Sequence, residues 1–216
     1  MAISNNNTGI RTGVCTSTTR PTAPYEGQTI YETDTDLTYI WGGSAWQQVS
    51  GGTAVGNSGL VFVKSQTIGS GVASVTVSDA FSATYDNYRI IISNVTCSAN
   101  QPSLRLRLGS TITGYSWAGF EISYTGGSLN AGFSNATTYW YIGNFGNADS
   151  MSSCVELQRP FATQNTNFSS TAGSTAWSVT QNGYLNNTTS YTAFDILPGS
   201  GTISGGTITV YGYRKA

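Results

Sequence analysis

Glu121 and Glu156 have the best claim to acid–base chemistry in this chain, since each lies in a stretch that reads as a strand beside apolar residues. A pair of carboxylates is all that glycoside hydrolysis requires. The other acids of the C-terminal two-thirds, Asp79, Asp86, Asp149 and Asp195, lack that setting. There is no histidine, so the usual base near neutral pH is missing, together with every Ser-His or Cys-His arrangement. The simpler reading of Glu121 and Glu156 is outward-facing strand residues, or ion-pair partners for Arg105, Arg107 or Arg159. That reading is preferred, and no enzymatic activity is expected.

Metal chemistry finds little support. Cys15, Cys97 and Cys154 are an odd number, widely spaced and without a C-x-x-C. A zinc site would need three or four thiolate or imidazole ligands. Free thiols are expected, with a Cys97–Cys154 disulfide left open. Glu26, Glu32, Asp34 and Asp36 cluster near the N-terminus, but the loop spacing of a calcium site is absent. They are expected to be solvated turn residues. Neither metal nor cofactor is expected.

Aromatic residues suggest a different chemistry. A pyranose ring stacks its C–H face on Trp or Tyr while amides and hydroxyls bond its rim. Trp117, Tyr139, Trp140, Tyr141 and Trp177 are the candidates for contact with a host cell-surface glycan, with Asn and Ser nearby. Strand alternation must bury about half of such residues, and contacts between copies would take others. Triplets such as Asn94-Val95-Thr96 are what a chain rich in Ser, Thr and Asn contains by chance.

The composition narrows what can position these groups. Only 9% of the 216 residues are charged, against roughly 25% in an average domain, and polarity comes from Ser, Thr, Asn and 26 Gly. Aromatics at 12%, spread along the whole length, argue for a packed β-rich protein over a disordered one. The net charge is −1 without a basic cluster, so no nucleic-acid partner is expected. No apolar run approaches the roughly 20 residues of a membrane helix, and no membrane partner is expected. The first residues, MAISNNNTGIRTG, lack a charged-then-apolar export pattern.

Along the chain, residues 1–24 lack periodicity and read as an extended arm that gains order mainly from a neighbour. Residues 25–50 read as an attachment module. Strands at 28–33 and Leu37–Trp41 form a hairpin through Asp34-Thr35-Asp36, and a third strand carries Trp46. Tyr31, Tyr39, Trp41 and Trp46 are expected to make a small aromatic cluster and the interface to a partner. A unit of about 25 residues cannot bury much area and should lean on other copies or another protein. Residues 51–59 are a Gly/Ser linker by composition.

From 60 to 216 the texture is short strands between turns, the pattern of a sandwich or barrel. Leu104-Arg105-Leu106-Arg107-Leu108 alternates strictly and puts three leucines on one face. Tyr88-Arg89-Ile90-Ile91-Ile92 reads as a central strand apolar on both sides. Further strands are expected at 72–77, 120–124, 138–142, 155–158, 175–179, 191–196 and 207–213. No stretch has a helical stripe, so the fold is all-β with few or no helices.

Two stretches also resemble known proteins. Arg20-Pro21-Thr22, Pro24, Glu26-Gly27-Gln28, Ile30-Tyr31-Glu32-Thr33-Asp34-Thr35-Asp36, Tyr39-Ile40-Trp41 and Gly43-Ser44-Ala45-Trp46 resemble a small module near the ends of tailed-bacteriophage structural proteins, including tail fibres and head-surface proteins. The run from Phe81 to Ile92, the Leu104–Leu108 alternation and a closing strand like Thr207–Tyr213 are similar to a domain of phage fibre-like and virion-surface proteins. Such domains are jelly-roll-like sandwiches that assemble as trimers. The resemblances imply a virion structural protein, assembled in the host cytoplasm, with phage capsid or tail proteins as partners and a likeness to fibre tips or capsid decorations. Phage depolymerases usually resemble long parallel β-helices, and no such coil repeat is visible. A secreted carbohydrate-binding module is the alternative, and a small glycan depolymerase the remoter one.

Overall fold

The computed structural model describes residues 12–50, 59–146 and 149–215. The first eleven residues of the expected arm and nearly all of the expected linker at 51–59 lie outside them. The chain divides into two compact units, Met1–Asn57 and Ser58–Ala216.

The first unit is a four-stranded sheet in the order β1-β2-β3-β4, with β1 (Gly13–Cys15), β2 (Thr29–Glu32), β3 (Leu37–Trp41) and β4 (Trp46–Ser50). β1 falls inside the stretch expected to be an arm ordered by a neighbour. It finds a partner within the chain, running parallel to β2 with Gly13 opposite Ile30 and Cys15 opposite Glu32. The β2–β3 connection turns at Asp36, whose φ of 55° is the left-handed conformation Asp tolerates. Asp34 ties β1 to this turn, because its carboxylate accepts the Ser17 N–H at 2.9 Å and the Ser17 hydroxyl at 2.6 Å. Among the described residues of the unit only Ile30 and Glu32 are buried.

The second unit is a two-sheet sandwich without helices among its described residues. Its strands are β5 (Leu60–Thr67), β6 (Val75–Val77), β7 (Asn87–Cys97), β8 (Ser103–Leu108), β9 (Tyr115–Ser123), β10 (Leu129–Thr137), β11 (Trp140–Asn144), β12 (Met151–Gln158), β13 (Thr166–Gly173), β14 (Trp177–Leu185), β15 (Phe194–Pro198), β16 (Ile203–Ser204) and β17 (Thr207–Tyr213). The smaller sheet runs β11-β8-β15-β6; the larger runs β10-β9-β14-β13-β12-β7-β17-β5, with β16 paired to β7.

Eight of these strands make a jelly roll. Renumbered along the chain, β5, β6, β7, β8, β11, β12, β15 and β17 occupy the larger sheet as 1-8-3-6 and the smaller as 2-7-4-5. Nearly every step along the chain therefore crosses from one sheet to the other, the double Greek-key winding of that fold. β13, β14 and the β9–β10 hairpin then lengthen the larger sheet beyond β12.

The core lies between the sheets. Leu104, Leu106 and Leu108 point inward and are fully buried, as their alternation predicts, with Phe194 and Ile196 beside them. Facing them are Tyr88, Ile90 and Ile92 from β7, Val155 and Leu157 from β12, and Ile208 and Val210 from β17. Trp140 of β11 crosses the gap, stacking on Phe168 at 4.6 Å and meeting Tyr115 edge-on at 5.1 Å. The central position of β7 fits its expectation, but the strand is not apolar-buried on both sides. Ile91 is only half-buried on the outer face, because an antiparallel sandwich leaves that face to solvent.

Candidate ligand-binding cleft

The lengthened sheet creates the site. Side chains pointing inward from β9 and β14, next to those of β10 and the end of β11, line a cleft of ≈ 350 Å³. Trp117 and Tyr141 form its aromatic wall, their rings 5.3 Å apart and tilted, and Tyr139 lies at its rim. The Arg105 guanidinium sits 4.0 Å from the Tyr139 ring centre, with its Nε donating to Ser103 Oγ at 2.8 Å. Glu121 is the acidic residue of the lining. Its Oε2 accepts the Tyr141 hydroxyl at 2.6 Å and Asn144 Nδ2 at 3.4 Å. Burial first, then this carboxylate, push the Tyr141 phenol well above its usual range, so it donates and does not ionise.

Three buried polar atoms around the cleft have no hydrogen-bond partner among the described residues: Trp117 Nε1, Asn144 Oδ1 and Gln181 Oε1. Gln181 is almost wholly buried. Buried polar groups are rarely left unpaired in a finished structure, and here half of those in the described residues border one cavity. β9 and β14 approach closely there because Gly119 has no side chain; a Cβ would collide with the Thr180 carbonyl and the Gln181 amide. Two hollows on the outer face of the larger sheet, ≈ 400 and ≈ 440 Å³, are shallower.

Of the five aromatics considered for sugar contact, Trp117, Tyr139 and Tyr141 converge on this cleft and two do not. Trp140 points the opposite way from its neighbours and is fully buried in the core, so it cannot touch a ligand. Period-2 alternation forces Tyr141 to the opposite face from Trp140, and Tyr139 reaches the cleft from the bend before β11. Trp177 shares the inner face of β14 but lies outside the cleft, four residues from Gln181. Gln181, Asn144 and Asn130 complete the lining. Nothing in a sequence rich in Asn, Ser and Thr distinguishes them.

The two glutamates do not form a catalytic pair. Glu121 faces inward on β9, whereas Glu156 faces outward on β12, ion-paired with Arg89 at 2.5 Å and accepting the Tyr213 hydroxyl at 2.8 Å. β14 and β13 lie between their strands. Three strand spacings, about 14 Å, plus opposite faces of the sheet, exceed the roughly 5–9.5 Å that either glycosidase geometry allows.

The N-terminal aromatics also divide. Residues directly paired across strands share a face, which sets Tyr39, Trp41 and Trp46 together, with the two tryptophans edge-to-face at 5.5 Å. Tyr31 is paired with Thr38 on the other face, and its hydroxyl donates to Asp36 at 2.7 Å. Tyr39 instead carries Arg20, 4.3 Å above its ring. Arg20 reaches on to an ion pair with Glu32, which also accepts the Thr35 hydroxyl at 2.8 Å. Glu32 is therefore not a solvated turn residue, as its position in the sequence suggests, but the buried polar centre of the sheet.

The thiols are free. Cys97 is buried and donates to the Ser200 carbonyl at 3.4 Å. Cys154 lies across from Ile91 on the other face of β7, six residues from Cys97. That is on the order of 20 Å along the strand, far beyond disulfide reach. Among the described residues no three His, Cys, Asp or Glu side chains converge as a metal site would require. No protein-family model matches this chain, and no curated protein sequence does.

Proposed function

We propose that the chain is a non-enzymatic structural protein of a tailed-bacteriophage particle. In this reading it is a homotrimer held to tail or capsid by its N-terminal unit, with the jelly roll facing outward as a short fibre, receptor-binding knob or capsid decoration. The observation that carries the reading is that the phage-like motif and the small folded unit coincide. Arg20, Glu32, Asp34, Asp36, Tyr39, Trp41 and Trp46 are the residues whose ion pair, hydrogen bonds and ring contacts hold that sheet together. A unit with two buried side chains among its described residues that still exposes Val14, Tyr25 and Val49 is suited to gain stability from a partner surface. The separation of Glu121 from Glu156 supports a role without hydrolysis.

Assembly of copies finds support on the larger sheet. Phe120, Ile122, Leu129 and Phe133 form an exposed apolar row on the outer face of the β9–β10 hairpin, and among the described residues β10 is an unpaired sheet edge. Low charge protects such an edge poorly, and closed symmetry would cover it. Sedimentation of the purified chain tests the trimer, and imaging of the parent particle with this protein labelled tests the location. A stable monomer at micromolar concentration, or particles without the protein, would overturn the reading. Copy number separates the roles, hundreds for a decoration and far fewer for a fibre. The aromatic cleft favours one second reading, a secreted carbohydrate-binding module; recovery from culture fluid without particles would support it.

A further inference from the structure

The geometry points to the cleft between β9, β10, β14 and β11 as a binding site for a neutral sugar residue, with Glu121 as its central acceptor and Trp117 and Tyr139 as its stacking surfaces. This goes beyond the proposed virion role and does not depend on it, because every residue involved belongs to the jelly-roll unit.

The donor and acceptor inventory selects the ligand class. Glu121 Oε2 is engaged by Tyr141 and Asn144, leaving Oε1 as a fixed acceptor at the cleft. Asn144 Oδ1 and Gln181 Oε1 are acceptors without partners, and Trp117 Nε1 is a donor without one. A surplus of acceptors calls for a ligand that mainly donates. Vicinal hydroxyls do this, and each also retains lone pairs for a donor such as Trp117 Nε1. Aromatic walls beside a few convergent polar groups are the general make-up of small-ligand sites.

Charge removes other classes. A phosphate or uronate would enter beside the Glu121 carboxylate with no Lys or Arg in the cleft lining, and the Arg105 guanidinium beside Tyr139 is already committed to that ring and Ser103. A purely apolar ligand would leave the carboxylate and the three orphaned atoms unsatisfied at a cost. The ≈ 350 Å³ volume suits one or two pyranose rings.

The test is saturation-transfer NMR on the full chain with methyl glycosides of glucose, galactose, mannose, N-acetylglucosamine and rhamnose, and with methyl glucuronide as the anionic arm. A single sugar in one such site binds with a dissociation constant on the order of millimolar, so the titration extends to tens of millimolar. At least one neutral glycoside is expected to take up saturation on its ring C–H protons. Tyr139→Ala should abolish the transfer, and Glu121→Gln should weaken binding about ten-fold, the scale of a charge-assisted hydrogen bond. Trp177→Ala, outside the cleft, should leave binding unchanged. Tyr139 is only partly buried and lies in the bend before β11, so its loss is expected to spare the fold, which amide NMR spectra will verify. Silence from every neutral glycoside, preference for the glucuronide, or binding indifferent to both cleft substitutions would each overturn the assignment. Failure here leaves the virion reading standing, since sedimentation and particle location test that separately.

Discussion

Glu32 is a carboxylate sealed from solvent in a unit whose described residues bury only one other side chain. The Arg20 hydrogen bond, and then that of Thr35, hold its pKa below the usual carboxylate range, and Ser17 does the same for Asp34. A carboxylate with a depressed folded pKa contributes stability above its unfolded value, near 4.3 for Glu. That contribution disappears as pH falls through the folded pKa. Acidification below about pH 4 is therefore expected to loosen residues 12–50 first. Segment-resolved hydrogen exchange would show amides in β2 and β3 losing protection while β7 and β8 keep theirs. Glu32→Gln should reduce protection at neutral pH and flatten its pH dependence. The jelly roll depends on apolar contact instead. Leu106 is fully buried between Trp140 and Ile196 in register, so Leu106→Ala should cost about 2–5 kcal/mol in denaturant unfolding. At this scale the sequence was partly legible. Strict alternation in Leu104–Leu108 settled which residues are buried, because one face there is charged. In Tyr139-Trp140-Tyr141 both faces are aromatic, so alternation said that the middle residue opposes its neighbours but not which face is the core. The ion pair of Arg20 and Glu32, far apart in sequence, left no local signal.

Among elements, Leu37–Trp41 and Thr207–Tyr213 could be read to the residue, since aromatic and β-branched residues dominate both. β13 was not foreseen: TNFSSTAG hides Phe168 among hydroxyl residues, and its strand character comes from lying between β12 and β14. β10, with Leu129 and Phe133 exposed on the outer face and Asn130 and Gly132 on the cleft side, breaks the inward-apolar rule that sequence patterns rely on. The cleft was legible only as a set of aromatics, since its polar half comes from strands whose adjacency is a property of topology. The β9–β14 contact yields a test at this scale. Gly119 meets the Thr180 backbone with no space for a methyl group, whereas a Cβ on Gly132 would lie 3.4 Å from the Trp117 ring, ordinary contact. Gly119→Ala should therefore force the strands apart and cost about 1–3 kcal/mol, with the cleft deformed. Gly132→Ala should stay within about 0.5 kcal/mol. Thermal melts of the two variants decide it, and equal losses would show that β9 and β14 are not so tightly apposed.

At the scale of the whole chain, the two units differ in how they achieve stability, and that difference can be measured. Ser58–Ala216 holds a continuous core in which strands from both ends of the segment, β5 and β17, pair with each other, and β17 pairs in turn with β7. About 160 residues are enough for such a core to bury nearly 70% of its surface. The described residues of the small unit form no comparable core and are held by contacts of Arg20, Glu32, Asp34 and Ser17. A chain lacking residues 1–57 is thus expected to fold, with a melting midpoint within a few degrees of the full chain and the same sugar titration. Under the proposed role it should also fail to incorporate into particles when supplied during infection, while the full chain succeeds. Incorporation of the shortened chain at wild-type level would move the attachment surface onto the jelly roll. Loss of folding on shortening would instead show that the N-terminal sheet stabilises the sandwich, and that the dependence runs opposite to the one argued from burial.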